Sequence, residues 1–197
     1  MIAQKTAAKT QRHWLAESVG VFETTDRVVH VRGDDARSWL NGQVSHDVSK
    51  LSGDVAQYAM ALTVKGRIVS DLWALEDPPG MAIVLPAARV ERALERFEQY
   101  IIMEDVELAA DPGLVVITVQ GPRASELVER LPADLRRYPC ARLALSSPRS
   151  GIDAWVPRAQ APELLRSLAA RASELGGGVL DEAGWAEAHV ALGVPRI

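Results

Sequence analysis

Cysteine occurs once in the 197 residues, at Cys140, so an intramolecular disulfide framework is excluded and a cytoplasmic setting is the default expectation. Its segment, Tyr138 to Arg142, offers no histidine or second cysteine at ligand spacing, so Cys140 reads as a small structural residue rather than a nucleophile. An excess of positive charge is also absent. Lysine and arginine number 22 against 26 acids, and the net charge of -4 argues against a nucleic-acid or anionic-membrane partner. Long apolar runs are missing too: Met81 to Leu85 and Leu114 to Val119 fall far below the ~20 residues that span a bilayer, and the N-terminus has no apolar signal core. His13, His30 and His46 sit in no His-x-x-His, Glu-x-x-His or Cys pairing, which excludes the usual metal motifs. No serine occupies a Gly-x-Ser-x-Gly turn, so a serine hydrolase is unsupported.

What is present is enough apolar material for a core, 48% of the residues, in a chain long enough to withdraw roughly 70% of its unfolded surface from water. The chain also repeats itself. Val28-Val29-His30-Val31-Arg32-Gly33 alternates as a strand, ends in glycine and leads into the helical spacing Ala36, Trp39, Leu40. Val116-Ile117-Thr118-Val119-Gln120-Gly121 does the same and is followed by Pro122, Ala124, Leu127 and Val128. Each copy then predicts a hairpin. The first runs from Tyr58 to Val64, turns at Lys65-Gly66 and returns over Arg67 to Trp73; the second runs over Ala141 to Leu145, turns through Ser146 to Gly151 and returns over Ile152 to Val156. Both returning strands carry Asp-x-Trp. A Pro-started helix follows each, from Pro86 and from Pro157, then a short strand at Val106 to Ala109 and at Gly178 to Leu180.

The order in each copy is close to β-α-β-β-α-β, the split βαβ arrangement. The expectation is therefore an α+β protein with residues 26–111 and 112–197 as two similar units, divided near the turn formers Asp111-Pro112-Gly113, and with residues 1–25 as a loosely held arm.

Five ordered segments then carry a resemblance. Val31 to Val48 resembles the opening signature of the glycine-cleavage T-protein/YgfZ superfamily, V-x-G-x-D-A-x-x-F-L-x-x-Q-x-x-x-D-V. Lys65 to Leu72, Tyr100 to Glu107, Val119 to Ala124, and Gly184 to Glu187 continuing to Gly193 to Arg196 agree in the same order. The resemblance implies two interlocked ferredoxin-like or Greek-key units, as in the first two domains of a T-protein, around a central tetrahydrofolate-sized cavity. It implies aminomethyl transfer to tetrahydrofolate, with a lipoylated carrier protein as partner. The YgfZ branch implies instead a folate-dependent role in maintaining iron–sulfur proteins, but its downstream Lys-Gly-Cys-Tyr-x-Gly-Gln-Glu motif does not occur here.

Asp71 matches the family's acidic pair in Gly-x-Ile-x-Asp-Asp-Leu, the other acid being Ser70 here. Alternation puts Asp71 on one strand face with Val69, Trp73 and Leu75, where apolar neighbours raise a carboxyl's pKa and suit it to take a proton or orient a folate nitrogen. An edge-strand aspartate facing solvent is the competing reading. Tyr58, Trp73 and Gln120, with the rest of 119–123, are expected to line the cavity.

Two substitutions tell against a complete site and keep open a third reading, a degenerate, non-catalytic member that acts through protein contacts. Arg149 stands where the family uses a glutamate to hold the pterin, and a guanidinium has five donors and no acceptor; Arg149→Glu would then strengthen folate binding. His189 stands where the family has arginine, and reads either as a donor toward a glutamyl tail or as a packing histidine beside Trp185. Lys65 and Arg67 read as a solvated turn or as a clamp for folate carboxylates. The chain stops inside the motif that, by the resemblance, leads into the family's third, all-β domain, so the expectation is a fragment whose uncovered surface recruits a partner or forms a homodimer.

Overall fold

The computed structural model describes residues 11–53, 55–129, 131–143 and 151–195. It divides the chain into two compact α+β units, one formed by residues 25–115 and the other by residues up to 24 together with 116–196.

In the first unit the strands are β2 (Asp26–Arg32), β3 (Gln57–Leu62), β4 (Ile68–Asp77), β5 (Gly80–Pro86) and β6 (Glu107–Asp111), with helices α1 (Ala36–Gln43) and α2 (Ala87–Glu98). The sheet order is β3-β4-β5-β2-β6. The Tyr58-to-Trp73 hairpin forms as the alternation requires, Tyr58 opposite Trp73 and Met60 opposite Asp71. Its turn is closed by Thr63 N–H to the Arg67 carbonyl at 2.8 Å. One strand exceeds expectation: the apolar run at Met81 to Leu85 becomes β5, between β4 and β2 and fully buried. A continuous apolar run carries no period-2 signal because both of its faces are covered.

Both helices cover one face of this sheet. Trp39 and Leu40 of α1 and Ala93 and Phe97 of α2 pack over Ala59, Ala61, Leu72, Ala74, Ile83 and Leu85. Trp39 and Phe97 meet edge to face at 5.8 Å, an arrangement worth about 0.5–1.5 kcal/mol beyond its area. Trp39 also donates its indole N–H to the Tyr100 carbonyl at 2.9 Å.

The second unit contains β1 (Gly20–Glu23), β7 (Leu114–Gln120), β8 (Arg136–Pro139), β9 (Gly151–Pro157) and β10 (Gly178–Val179), with α3 (Ala124–Val128), α4 (Ala161–Glu174) and α5 (Glu182–Leu192). Its order is β10-β1-β7-β9-β8. The expected loose arm is corrected over residues 11–24. A helical segment at 11–17 leads into β1, which pairs parallel with β10 and antiparallel with β7. Leu15, Val19, Val21 and Phe22 are buried, and Phe22 stacks on Trp185 at 4.9 Å. Four residues of strand show too little periodicity to be read without their partners.

The second hairpin is also corrected. The strand opposite β9 is β8, with Arg136 facing Trp155 and Tyr138 facing Asp153, whereas 141–143 lie in no strand. Arg142 turns inward to Asp153 instead, with Nε 2.7 Å from Oδ2. The charged Arg136-Arg137 pair hid β8: one guanidinium lies over the Trp155 ring at 5.2 Å, and the other donates to the Val128 carbonyl at 3.3 Å. Pro157 ends β9 rather than starting a helix, and α4 begins at Ala161.

The strand-ending glycines of the two repeats share one role. Gly33 has φ +106° and Gly121 φ +125°, and a Cβ would meet the Asp105 carbonyl at the first and the Ser18 carbonyl at the second. Alanine at either position is expected to cost about 2–3 kcal/mol through left-handed strain and the displaced carbonyl. Gly42, on α1 with open space around it, is expected to gain about 0.5–1 kcal/mol on the same change. Urea denaturation of the three variants tests this difference in sign.

Candidate functional site

On the sheet of the first unit, the face away from the helices carries Tyr58 and Met60 of β3 and Asp71, Trp73, Leu75 and Asp77 of β4, placed there by period-2 alternation and the β3–β4 register. Tyr58, Met60, Asp71 and Trp73 are half-buried, unlike Ala59, Ala61, Leu72 and Ala74 on the helix side. Tyr58 and Trp73, directly opposite, meet edge to face at 5.4 Å. The Tyr58 hydroxyl is buried without a hydrogen-bond partner among the described residues, and burial, then the negative charge of Asp71, pushes its pKa up to about 12. At neutral pH the phenol is therefore a proton donor lacking an acceptor, close to a carboxylate.

This upward shift has a definite pH consequence. The folded-state pKa lies above the ordinary value near 10, so the phenol's contribution to stability is complete below about pH 10 and is lost as pH rises toward 12. The difference between wild-type and Tyr58→Phe absorbance titrations is expected to show this late ionisation, and Asp71→Asn to bring it part of the way back.

The neighbouring position 70 faces the other way. Ser70 has no exposed surface and donates its hydroxyl to the Asp71 carbonyl at 2.7 Å. Of these two positions, 71 is thus the one on the half-buried face.

The same face bears a polar network that the sequence reading did not assemble. His30 Nδ1 lies 2.8 Å from Asp77 Oδ2 and its Nε2 3.5 Å from Asp111 Oδ2, while Arg32 pairs with Asp77 and donates to the Asp77 and Met81 carbonyls at 3.0 and 3.1 Å. Burial raises the Asp77 pKa, but hydrogen bonds and charge from Arg32 and His30 outweigh it and hold the carboxyl below its ordinary value. Alternation along β2 does place His30 and Arg32 on one face; their acidic partners come from β4 and β6 and leave no local signature.

The remaining candidates belong to the second unit. Gln120 is buried and spends both amide donors internally, on Thr118 Oγ1 at 2.7 Å and the Cys140 carbonyl at 2.8 Å. His189 is buried, donates Nδ1–H to the Trp185 carbonyl at 3.0 Å and meets the Trp185 ring edge to face at 4.7 Å, which is a packing arrangement. Arg149 lies outside the described residues. Lys65 and Arg67 are exposed at the hairpin tip, and Cys140 is buried. The Asp-x-Trp repeat has two fates: Asp71 is half-buried, whereas Asp153 has no exposed surface and is clamped by Arg142. Among the described residues there is no group of three or more His, Cys, Asp or Glu that could hold a metal, and no helix is long and apolar enough to cross a membrane.

Two α+β units with a half-buried acid and aromatic rings on one sheet face define a class that comparison with known proteins identifies. The family described as the GCVT N-terminal domain matches residues 3–146, and the chain belongs to it. An aminomethyltransferase of Francisella philomiragia subsp. philomiragia is 32% identical over 115 residues, covering 57% of this chain and 32% of that protein. One from Chromobacterium violaceum is 31% identical over 124 residues, covering 61% of this chain and 34% of that protein. The chain thus spans about a third of the length of the curated relatives it matches. The crystal structure of glycine cleavage system aminomethyltransferase T from Bartonella henselae superposes with a TM-score of 0.70 at 18% identity, over 82% of this chain and 48% of that one. A chain of heterotetrameric sarcosine oxidase from Corynebacterium sp. U-96 superposes at 0.54 and 13% identity, over 91% of this chain and 97% of that one. Both share the fold.

Proposed function

We propose that this chain is a reduced-folate-binding member of the GCVT family, with the Tyr58–Asp71–Trp73 face as the wall that receives the pterin. The observation that carries the reading is the buried Tyr58 hydroxyl, a donor without an acceptor beside a half-buried carboxylate. The residues fit the group. A pterin is a flat heterocycle with N–H donors and a carbonyl acceptor: Asp71 takes the N–H groups, Tyr58 donates to the acceptor, and Trp73 offers its ring as an apolar wall. Tetrahydrofolate, when bound, supplies the nitrogen that receives a one-carbon unit. Asp71 then orients that nitrogen by accepting its hydrogen and takes the proton released there, while Tyr58, kept protonated by its raised pKa, remains a donor throughout. Arg149, in place of a pterin-holding glutamate, and Ser70, in place of a second acid, favour weak binding or lost catalysis over full aminomethyl transfer.

The likeness to nearly the whole of one chain of the heterotetrameric sarcosine oxidase favours a second reading, in which the two units serve as a binding subunit beside partner chains. Equilibrium dialysis tests the first reading. With saturating glutarate on both sides of the membrane, tetrahydrofolate is expected to be retained and p-aminobenzoylglutamate, which lacks the pterin but carries the same carboxylates, to pass freely; equal retention of the two would rule out a pterin contact.

A further inference from the structure

A groove of about 320 Å3 lies in the first unit at the free edge of its sheet, between the ends of α1 and α2 and the turn that leaves β3. It is lined by Gln43, Val44, Ser45, Leu62, Val64, Arg96, Tyr100 and their neighbours. The groove belongs to the helix-covered side, because Ala93 and Phe97 of α2 pack on Ala59, Ala61, Leu72 and Ala74, whereas Tyr58, Asp71 and Trp73 point to the opposite face. It is therefore separate from the face assigned above to the pterin.

Its polar groups share a sign. Arg96 is fixed on three sides: Nε donates to the Leu62 carbonyl at 3.0 Å, Nη1 to Gln43 Oε1 at 2.9 Å, and the guanidinium lies 3.9 Å from the centre of the Tyr100 ring. Among the described residues its Nη2 has no acceptor. Gln43 accepts through its oxygen, which leaves its amide N–H groups free, and Ser45 Oγ accepts from Met60 N–H at 3.0 Å, which leaves its hydroxyl hydrogen free. The Tyr100 hydroxyl makes no hydrogen bond among the described residues. Among the described residues no acid lines the groove, and Lys65 and Arg67 follow directly on its Thr63–Val64 wall. A cluster of donors without acceptors, around a guanidinium whose conformation is already fixed, is complementary to an oxyanion.

We propose that this groove binds a small organic carboxylate, its anion on Arg96 Nη2, Gln43 and Ser45 and its carbon skeleton against Val44, Leu62 and Val64. The volume lies at the lower end of the range for ligand pockets, which fits a short dicarboxylate rather than a nucleotide. The carboxylate comes either from a free metabolite or from an acidic side chain of a peptide, and the two sources present the same chemistry.

The test is amide NMR of the full chain titrated with glutarate, with the neutral glutaramide and with a capped Glu-Val dipeptide. Glutarate is expected to shift Gln43, Ser45 and Thr63 saturably, glutaramide to leave them unmoved, and Arg96→Gln to weaken glutarate ~10-fold. Gln43→Glu keeps an acceptor for Arg96, and so the local fold, but sets a carboxylate in the groove; it is expected to abolish binding. Tighter binding of the dipeptide than of glutarate assigns the site to an acidic side chain, and the reverse to a free metabolite. Equal shifts with glutaramide, unchanged binding in a folded Gln43→Glu variant, or no saturable shift with any carboxylate probe overturns the proposal. None of these outcomes depends on folate.

Discussion

Replacing Asp153 with alanine is expected to remove about 3–5 kcal/mol of stability, the largest effect of any single change considered. Asp153 has no exposed surface and Arg142 is 8% exposed. The guanidinium meets the carboxylate with Nε at 3.0 and 2.7 Å and Nη2 at 2.6 Å. Tyr138 and Trp155 complete the cluster through a 3.1 Å hydrogen bond from the indole to the phenol. Loss of the carboxylate strands a buried cation, and a domain whose whole stability is about 5–15 kcal/mol does not absorb that easily. The double variant Asp153→Leu/Arg142→Met removes both charges and is expected to recover most of the loss, because the cost lies in breaking the pair. Urea unfolding of the three proteins decides it. A loss under about 1 kcal/mol in Asp153→Ala would mean that the pair is solvated after all.

Asp71→Asn is expected to do the opposite: to leave stability nearly unchanged and to weaken tetrahydrofolate by about 1.5–3 kcal/mol, roughly 10- to 150-fold. The side chain is half-buried on a sheet face, and asparagine preserves its shape. What changes is the acceptor: a charged oxygen facing a ring N–H becomes an amide that presents a neutral oxygen and two donors of its own. Calorimetric titration of both proteins, beside their unfolding midpoints, separates the two effects. Equal folate affinity in the two proteins would take Asp71 out of the site, and a large loss of stability would make it a structural residue like Asp153.

The same tripeptide pattern, Asp-x-Trp, thus leaves its acid half-buried on a sheet face in one unit and clamped in the core of the other. Nothing within the motif distinguishes them. The difference comes from Arg142, which lies 11 positions before Asp153 and turns inward to meet it. Local pattern was sufficient where local forces decide: the alternation of β2 and β7, the hairpin at Lys65-Gly66 and the glycines at 33 and 121 all follow from period, turn chemistry and sterics. It failed where long-range pairing decides. β1 is short and gains its meaning from β7 and β10, β5 has no alternation because both faces are covered, and β8 is disguised by two arginines that pack their stems and planar heads inward. In the candidate site, Tyr58, Asp71 and Trp73 were legible because hairpin register brings them together. The His30–Asp77–Asp111 network was not, since its members come from three strands of one sheet.

The proposed function rests on a pterin held by the helix-free face of the first unit. The most direct measurement is a tetrahydrofolate titration of isotope-labelled chain followed by side-chain NMR. Saturable shifts are expected at the Trp73 indole, the Tyr58 ring and the Asp71 carboxyl, and they are expected to persist when saturating glutarate already occupies the groove at Gln43 and Ser45. Saturable shifts confined to other residues, or no saturation at all in a folded protein, would contradict it.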